Sequence, residues 1–253
     1  MAGLNGDETR FDHRISPGTS ILLAGCSGSG KTTVILNMLR NLNDYFTFEP
    51  SEIYYIHSGI PQEAFEEFKN TVSFFDGWSH FPLECLRTKS HWILIVGDVY
   101  QRDKVPVKGL IAQIVSVLCH HCHGVFLLPI HNYYSKSLDN AREVALQCSL
   151  FFFLQSPSMR SVLNSFAHQF FGSEKNRFLE LHDAIVNIPH SALTYDARIR
   201  TPNHLRLSTK FVSPQKRSLD ENEIENLTDD ELKKKLNDAG PIFFIPKNNM
   251  VSF

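Results

Sequence analysis

The sequence predicts an α/β fold: a doubly wound, mostly parallel sheet flanked by helices, followed by a flexible C-terminal tail. Short apolar runs of strand length alternate with amphipathic segments at helical spacing, which calls for crossover connections and parallel pairing. The runs are apolar throughout rather than alternating, as strands buried on both faces are. The first of them passes directly into a glycine-rich turn that opens a helix. With 253 residues, 42% of them hydrophobic, the chain can bury one large core.

The elements follow in order. Met1–Gly18 is polar and ends in Pro17-Gly18, a turn signal, so residues 1–18 are read as an N-terminal arm. Ser20–Ala24 is the first buried strand, and Thr33–Leu42 carries Val34, Ile35, Met38, Leu39 and Leu42 at helical spacing. Glu52–His57 reads as a second strand and Gln62–Asn70 as an acidic amphipathic helix. Trp92–Val96 is a third strand, Leu110–Cys119 a helix, and Val125–Leu128 a fourth strand. Asp139–Gln147 reads as a helix, Leu150–Leu154 as a fifth strand, and Met159–Phe171 as a helix. Beyond Gly172 the pattern loosens into the β-like pieces Ala184–Ile188 and His204–Ser208. The domain is thus expected over residues 19–212. Residues 213–253 form a polar tail, in which Thr228-Asp229-Asp230-Glu231 caps one short helix.

The glycine-rich turn carries the chemistry. Gly25-Cys26-Ser27-Gly28-Ser29-Gly30-Lys31-Thr32 fits G-x-x-x-x-G-K-[ST] in full, between a strand and a helix as the motif requires. The glycines let successive backbone N–H groups turn inward onto phosphate oxygens, and the helix adds its positive N-terminal end. On this reading the loop binds ATP or GTP, Lys31 reaches the β- and γ-phosphates, and Thr32 ligates Mg2+. Thr33 adjoins them with no role fixed by the motif, and Cys26 is loop filler rather than a redox switch.

A hydrolytic site of this kind needs an acid at the end of another strand for the metal, and a polar group for the attacking water. Trp92–Val96 is the strand best suited, but it runs into Gly97-Asp98 where two acids are usual. Asp98 takes either the metal-side or the water-side role, and in both cases one carboxylate is missing. Asp103 reads as a loop residue.

With these residues in place the chain resembles the FtsK/HerA-type genome-packaging ATPases of double-stranded DNA viruses, and among them the short ATPases of Maverick/Polinton elements and related viruses. The resemblance runs from about Phe11 to Ser213. It is carried by the loop, by Ile56-His57-Ser58-Gly59-Ile60-Pro61-Gln62, by Cys119-His120-His121, and by Thr201-Pro202-Asn203-His204-Leu205-Arg206-Leu207. It is also carried by Ile130-His131-Asn132, where relatives have Thr-Gln-Asn. It implies a ring of identical subunits moving double-stranded DNA with ATP and Mg2+, and capsid proteins as partners. It further implies that His131 or Asn132 senses the γ-phosphate and that Arg142 reaches a neighbouring subunit's nucleotide. Gly97 and His131 depart from the family pattern and mark a diverged copy.

Other features carry less. Cys119-His120-His121-Cys122-His123 holds half of a zinc pattern with no second half at matching spacing, and histidines there complement a helix end. Phe151-Phe152-Phe153 and Phe170-Phe171 are read as core or subunit interface, and Tyr133-Tyr134 as a loop pair that packs or meets DNA. Lys210, Lys216 and Arg217 are read as part of a solvated tail. A net charge of −2 gives no basic excess, although a ring can gather a basic lining from each subunit. The odd count of 5 Cys, the absence of a signal-like segment and the absence of a membrane-length apolar run predict a soluble, intracellular chain. Three functions fit these features: a DNA-packaging motor, a nucleotide-binding assembly protein with weak or no hydrolysis, and a P-loop small-molecule kinase.

Overall fold

The computed structural model describes residues 12–59, 63–97, 109–131, 144, 147–155, 160–186 and 192–209. Strands β1 (Ser20–Ala24), β2 (Glu52–His57), β3 (Ser73–Asp76), β4 (Trp92–Val96), β5 (Val125–Ile130), β6 (Leu150–Phe153), β7 (Leu193–Asp196) and β8 (Leu207–Ser208) form one sheet. Its order is β3-β2-β4-β5-β1-β6-β7-β8. Every pairing from β3 to β6 is parallel, and β7 and β8 add an antiparallel edge. The five strands anticipated as parallel are all present.

Alternation along each strand sends side chains to two faces, and each face is covered. Ile21, Leu23, Ile93, Ile95, Leu127 and Phe152 meet Ile35, Met38 and Leu39 of α1 (Lys31–Arg40). Leu22, Leu94, Phe126, Leu128, Phe151 and Phe153 face the opposite layer. That layer is made by the continuous helical stretch from Leu110 to His121 and by the helices Arg160–Phe171 and Lys175–Val186. The Phe151-Phe152-Phe153 run is core: Phe151 and Phe153 pack on Phe166, at ring separations of 5.0 and 4.7 Å.

Four sequence expectations are corrected or refined. Glu63–Phe68 is a 3-10 helix, not an α-helix, because its buried anchors Phe65 and Phe68 lie three residues apart, the repeat of the tighter turn. The expected helix from Leu110 contains a π turn at Ile114–Leu118 and continues to His121. Ala184–Val186, expected as β-like, closes the helix Lys175–Val186. There Phe178, Leu179, His182, Ile185 and Val186 share one buried face, which overrides the β propensity of Ile185 and Val186. His204–Ser208 divides between a 3-10 turn, Asn203–Leu205, and the two residues of β8. β3, β7 and the Lys175–Val186 helix have no counterpart in the sequence reading. Most of Asp139–Gln147 and the whole tail lie outside the described residues.

The antiparallel edge is tied to the start of the chain. Arg198, 6% exposed, grips Asp196 with Nε donating to Oδ1 at 2.8 Å and Nη2 to Oδ2 at 2.6 Å. Its remaining donors reach the Arg14 and His13 carbonyls at 2.8 and 3.1 Å. Ile15, within the stretch read as an arm, is fully buried and pairs with Phe46. The Thr201–Leu207 segment helps to close this edge, since Arg206 Nη1 donates to the Asp196 carbonyl at 3.2 Å, across the turn.

Candidate functional site

Because β1, β2, β4, β5 and β6 run parallel, their carboxyl ends share one edge of the sheet. The loop after β1 leaves that edge with a helix layer on either face, where open α/β sheets form their binding crevice. β5 stands between β1 and β4, and so separates the loop from Gly97 at the end of β4 by one strand.

The start of the loop is strapped from both sides. Gly25 N–H donates to the Ile130 carbonyl at 3.1 Å, and Cys26 N–H to the Gln155 carbonyl at 3.2 Å. Cys26 Sγ also donates to the Gln155 carbonyl at 3.1 Å, so the thiol is engaged in anchoring. Gly25 has no space for a side chain: a Cβ would lie 2.3 Å from Ser29 Oγ and 3.0 Å from Leu154 Cβ. The loop then folds back through Ser29 N–H to the Cys26 carbonyl at 3.2 Å.

Gly30, at φ 98°, caps α1 in the left-handed conformation that glycine adopts without steric cost. No side chain caps the helix, and its first turn carries no acid. The opening N–H groups of a helix have no intrahelical partner, and they carry the positive end of its dipole. Ser29 Oγ is buried beside them without a hydrogen-bond partner. A bare helix start, an orphaned hydroxyl and a loop closely packed around its own backbone make a cradle fitted to an oxyanion.

Lys31 is 7% exposed and turned back into this cradle. Its Nζ donates to the Gly25 carbonyl at 2.7 Å and the Cys26 carbonyl at 2.8 Å, and lies 3.1 Å from His131 Nδ1. An ammonium can only donate, so in this contact Nδ1 is the acceptor. Thr32 is half-buried on the first turn, while Ser27, Gly28 and Thr33 are exposed. Of the residues expected from sequence, the structure brings Gly25–Thr33 and His131 together. Asp98, Asp103, Arg142, Asn132, Tyr133 and Tyr134 lie outside the described residues.

Gly97 continues the pairing of β4, its N–H donating to the Ile56 carbonyl at 2.9 Å. Over it stands the Tyr55 hydroxyl, 3.0 Å from where a Cβ would be. Sequence reasoning passed over Tyr55, because only the β2–β4 register brings it there. Further along this edge, His57 Nδ1 lies 4.0 Å from Asp76 Oδ1, and Asp76 accepts the Gly59 N–H at 2.9 Å.

Among the described residues, no three His, Cys, Asp or Glu gather to hold a metal. The Cys119–His123 segment ends a helix, with His123 in a left-handed conformation and stacked on His91 at 5.5 Å. Burial pushes the Cys119 thiol well above the ordinary range. No described helix is long and apolar enough to cross a membrane.

No protein-family model and no curated protein matches the chain. Solved structures do. The genome packaging NTPase B204 from Sulfolobus turreted icosahedral virus 2, in complex with sulfate, aligns at 16% identity with a TM-score of 0.52, over 74% of this chain and 95% of that one. The fold is that of a P-loop NTPase. B204 of Sulfolobus turreted icosahedral virus, a DNA-packaging ATPase, aligns at 12% identity and a TM-score of 0.49, over 72% and 94% of the two chains. The Legionella pneumophila ATPase DotB aligns at 15% identity and a TM-score of 0.35, over 68% and 53%. At 16% identity the likeness to the first of these is one of fold.

Proposed function

We propose that this chain binds ATP at Gly25–Thr32 and hydrolyses it to move double-stranded DNA, acting as a ring of copies in the manner of a genome-packaging ATPase. The observation that carries the nucleotide reading is the cradle itself: the uncapped start of α1, with Lys31 seated among the loop carbonyls. Those carbonyls are neutral acceptors, and a phosphate oxygen carrying full charge displaces them, because charge-assisted hydrogen bonds are the stronger. Lys31 then swings from the loop to the β- and γ-phosphates, and the backbone N–H groups of the first turn take the remaining oxygens.

A magnesium ion accompanying the nucleotide would keep most of its water and take few protein ligands, among which a threonine hydroxyl and one carboxylate suffice. Thr32 would hold it with its hydroxyl and Asp98 with its carboxylate. Bound there, Mg2+ neutralises charge across the β- and γ-phosphates. By the family resemblance, His131 or Asn132 would sense the γ-phosphate and Arg142 would serve a neighbouring subunit's nucleotide. DNA movement, the ring and capsid partners rest on the family resemblance, supported by the shared fold.

A second reading is favoured by Gly97: a nucleotide-dependent assembly protein that binds ATP and turns it over slowly or not at all. Phosphate release by purified protein, with and without double-stranded DNA and beside Lys31→Ala, separates the two. Release that DNA stimulates and Lys31→Ala abolishes is the expected result. ATP binding without release would overturn the motor and leave the assembly protein.

A further inference from the structure

Position 97 is where a P-loop enzyme of this topology ordinarily starts its acidic pair, and the glycine there has a local cause. Tyr55 pairs with Ile95 across β2 and β4. Its ring leans two residues toward the carboxyl edge, so the hydroxyl stands over Gly97. A Cβ on residue 97 would lie 3.0 Å from Tyr55 Oη, 3.5 Å from Cζ and 3.3 Å from the Ile56 carbonyl. The ring is held in place, stacked on Phe65 at 4.7 Å and 23° and set edge-on to Phe74 at 5.8 Å and 89°. Moving it aside would open a packed aromatic cluster in which Tyr55 is 9% exposed and Phe65 1%. Glycine weakens a strand and marks close approach by another group. Here that group is a tyrosine hydroxyl.

We propose that Tyr55 stands in for the side chain that Gly97 lacks, supplying a neutral hydrogen-bonding oxygen at the carboxyl end of β4 toward the hydrated magnesium ion of bound nucleotide. The inference rests on the nucleotide reading above. A phenol both donates and accepts, so it can hold a metal-bound water as a carboxylate does. It brings no negative charge, so the metal is drawn less strongly and the phosphate loop carries more of the binding. Tyr55 is a positioning residue in this scheme, and it makes Gly97 a matched partner rather than a simple loss.

The test is a set of four proteins: wild type, Tyr55→Phe, Gly97→Asp and the double variant. Each is titrated with a fluorescent ATP analogue in magnesium and in EDTA, and each is melted without nucleotide. Tyr55→Phe should lose about 2–10-fold in affinity with magnesium, the worth of one neutral hydrogen bond, and nothing in EDTA. Gly97→Asp should melt lower than wild type. The double variant should recover part of that loss, because the closest contact, that with the hydroxyl, is removed, and should bind magnesium-nucleotide more tightly than Gly97→Asp. Gly97→Ala, which adds the Cβ alone, keeps the coupling measurable if the aspartate variant does not fold.

Equal losses for Tyr55→Phe in magnesium and EDTA, or no loss in either, would overturn the role of Tyr55. Additive melting shifts would overturn its pairing with Gly97. If wild type binds no nucleotide in either medium, the nucleotide reading itself fails and this role fails with it, whereas the melts still separate that outcome from an error in the Tyr55–Gly97 contact.

Discussion

Lys31 and Arg198 are both buried cations, 7% and 6% exposed, and they are held in different ways. Arg198 closes a bidentate pair on a fixed carboxylate and spends its other donors on the His13 and Arg14 carbonyls. Lys31 rests on the Gly25 and Cys26 carbonyls and His131 Nδ1. A cation answered by a carboxylate of its own chain is a fastener. The carbonyl oxygens that Lys31 meets are neutral acceptors, weaker than the carboxylate that holds Arg198, and an arriving anion competes with them. The same contrast holds for neighbouring polar atoms, since Ser29 Oγ in the loop has no partner while both Asp196 oxygens are engaged.

The contrast can be broken most directly at the fastener. Asp196→Ala leaves the Arg198 guanidinium buried without its carboxylate and should cost about 3–5 kcal/mol in denaturant melts. ATP affinity of the folded fraction should stay as in wild type. A loss in the melts close to zero would show that Asp196–Arg198 is not structural. Lys31→Ala should do the reverse. ATP affinity falls at least tenfold, since each charged hydrogen bond is worth about 1.5–3 kcal/mol, and the melt moves less than in Asp196→Ala.

Ser29→Ala is a finer probe. Removing a buried hydroxyl that has no partner should leave stability unchanged or raise it by up to about 1 kcal/mol. Isothermal titration should show a severalfold weaker ATP complex, and unchanged affinity would mean that the hydroxyl meets no phosphate. The last effect, absent at neutral pH and confined to the acid limb, belongs to His13. Burial holds it down at about 4, with Arg198 adding to the shift and Asp196 and Asp12 opposing it. The unfolded chain takes up this proton at an ordinary histidine pKa of about 6.5. The folded chain resists it, so stability is complete above that value and declines as pH falls toward about 4. His13→Gln should flatten that limb in melts across this range, whereas Lys31→Ala should leave it in place.

The phosphate loop was legible because its chemistry lies in eight contiguous residues, Gly25–Thr32, between a strand and a helix. The parallel strands were legible because burial on both faces leaves unbroken apolar runs such as Trp92–Val96. β3 escaped because its residues are half-buried or exposed at the sheet edge, and β7 because it buries Thr194 and Asp196. The Asp196 carboxylate is satisfied by an arginine two residues on, which in sequence reads as a polar turn. The Lys175–Val186 helix escaped because its last residues are β-branched and its face emerges only against the sheet. Tyr55 and Gly97 meet through strand register, a relation that local spacing does not encode.

The central place of β1 also bears on the order in which the molecule is made. Its partners are β5 and β6, with Ser20 opposite Phe126 and Ile21 opposite Leu150. At synthesis rates of about 5–20 residues per second, β1 leaves the ribosome several seconds or more before either neighbour exists. Gly25 and Cys26 cannot be strapped to the Ile130 and Gln155 carbonyls until then. The phosphate cradle is therefore a late product of folding, and nucleotide can stabilise the finished domain but cannot guide its first steps.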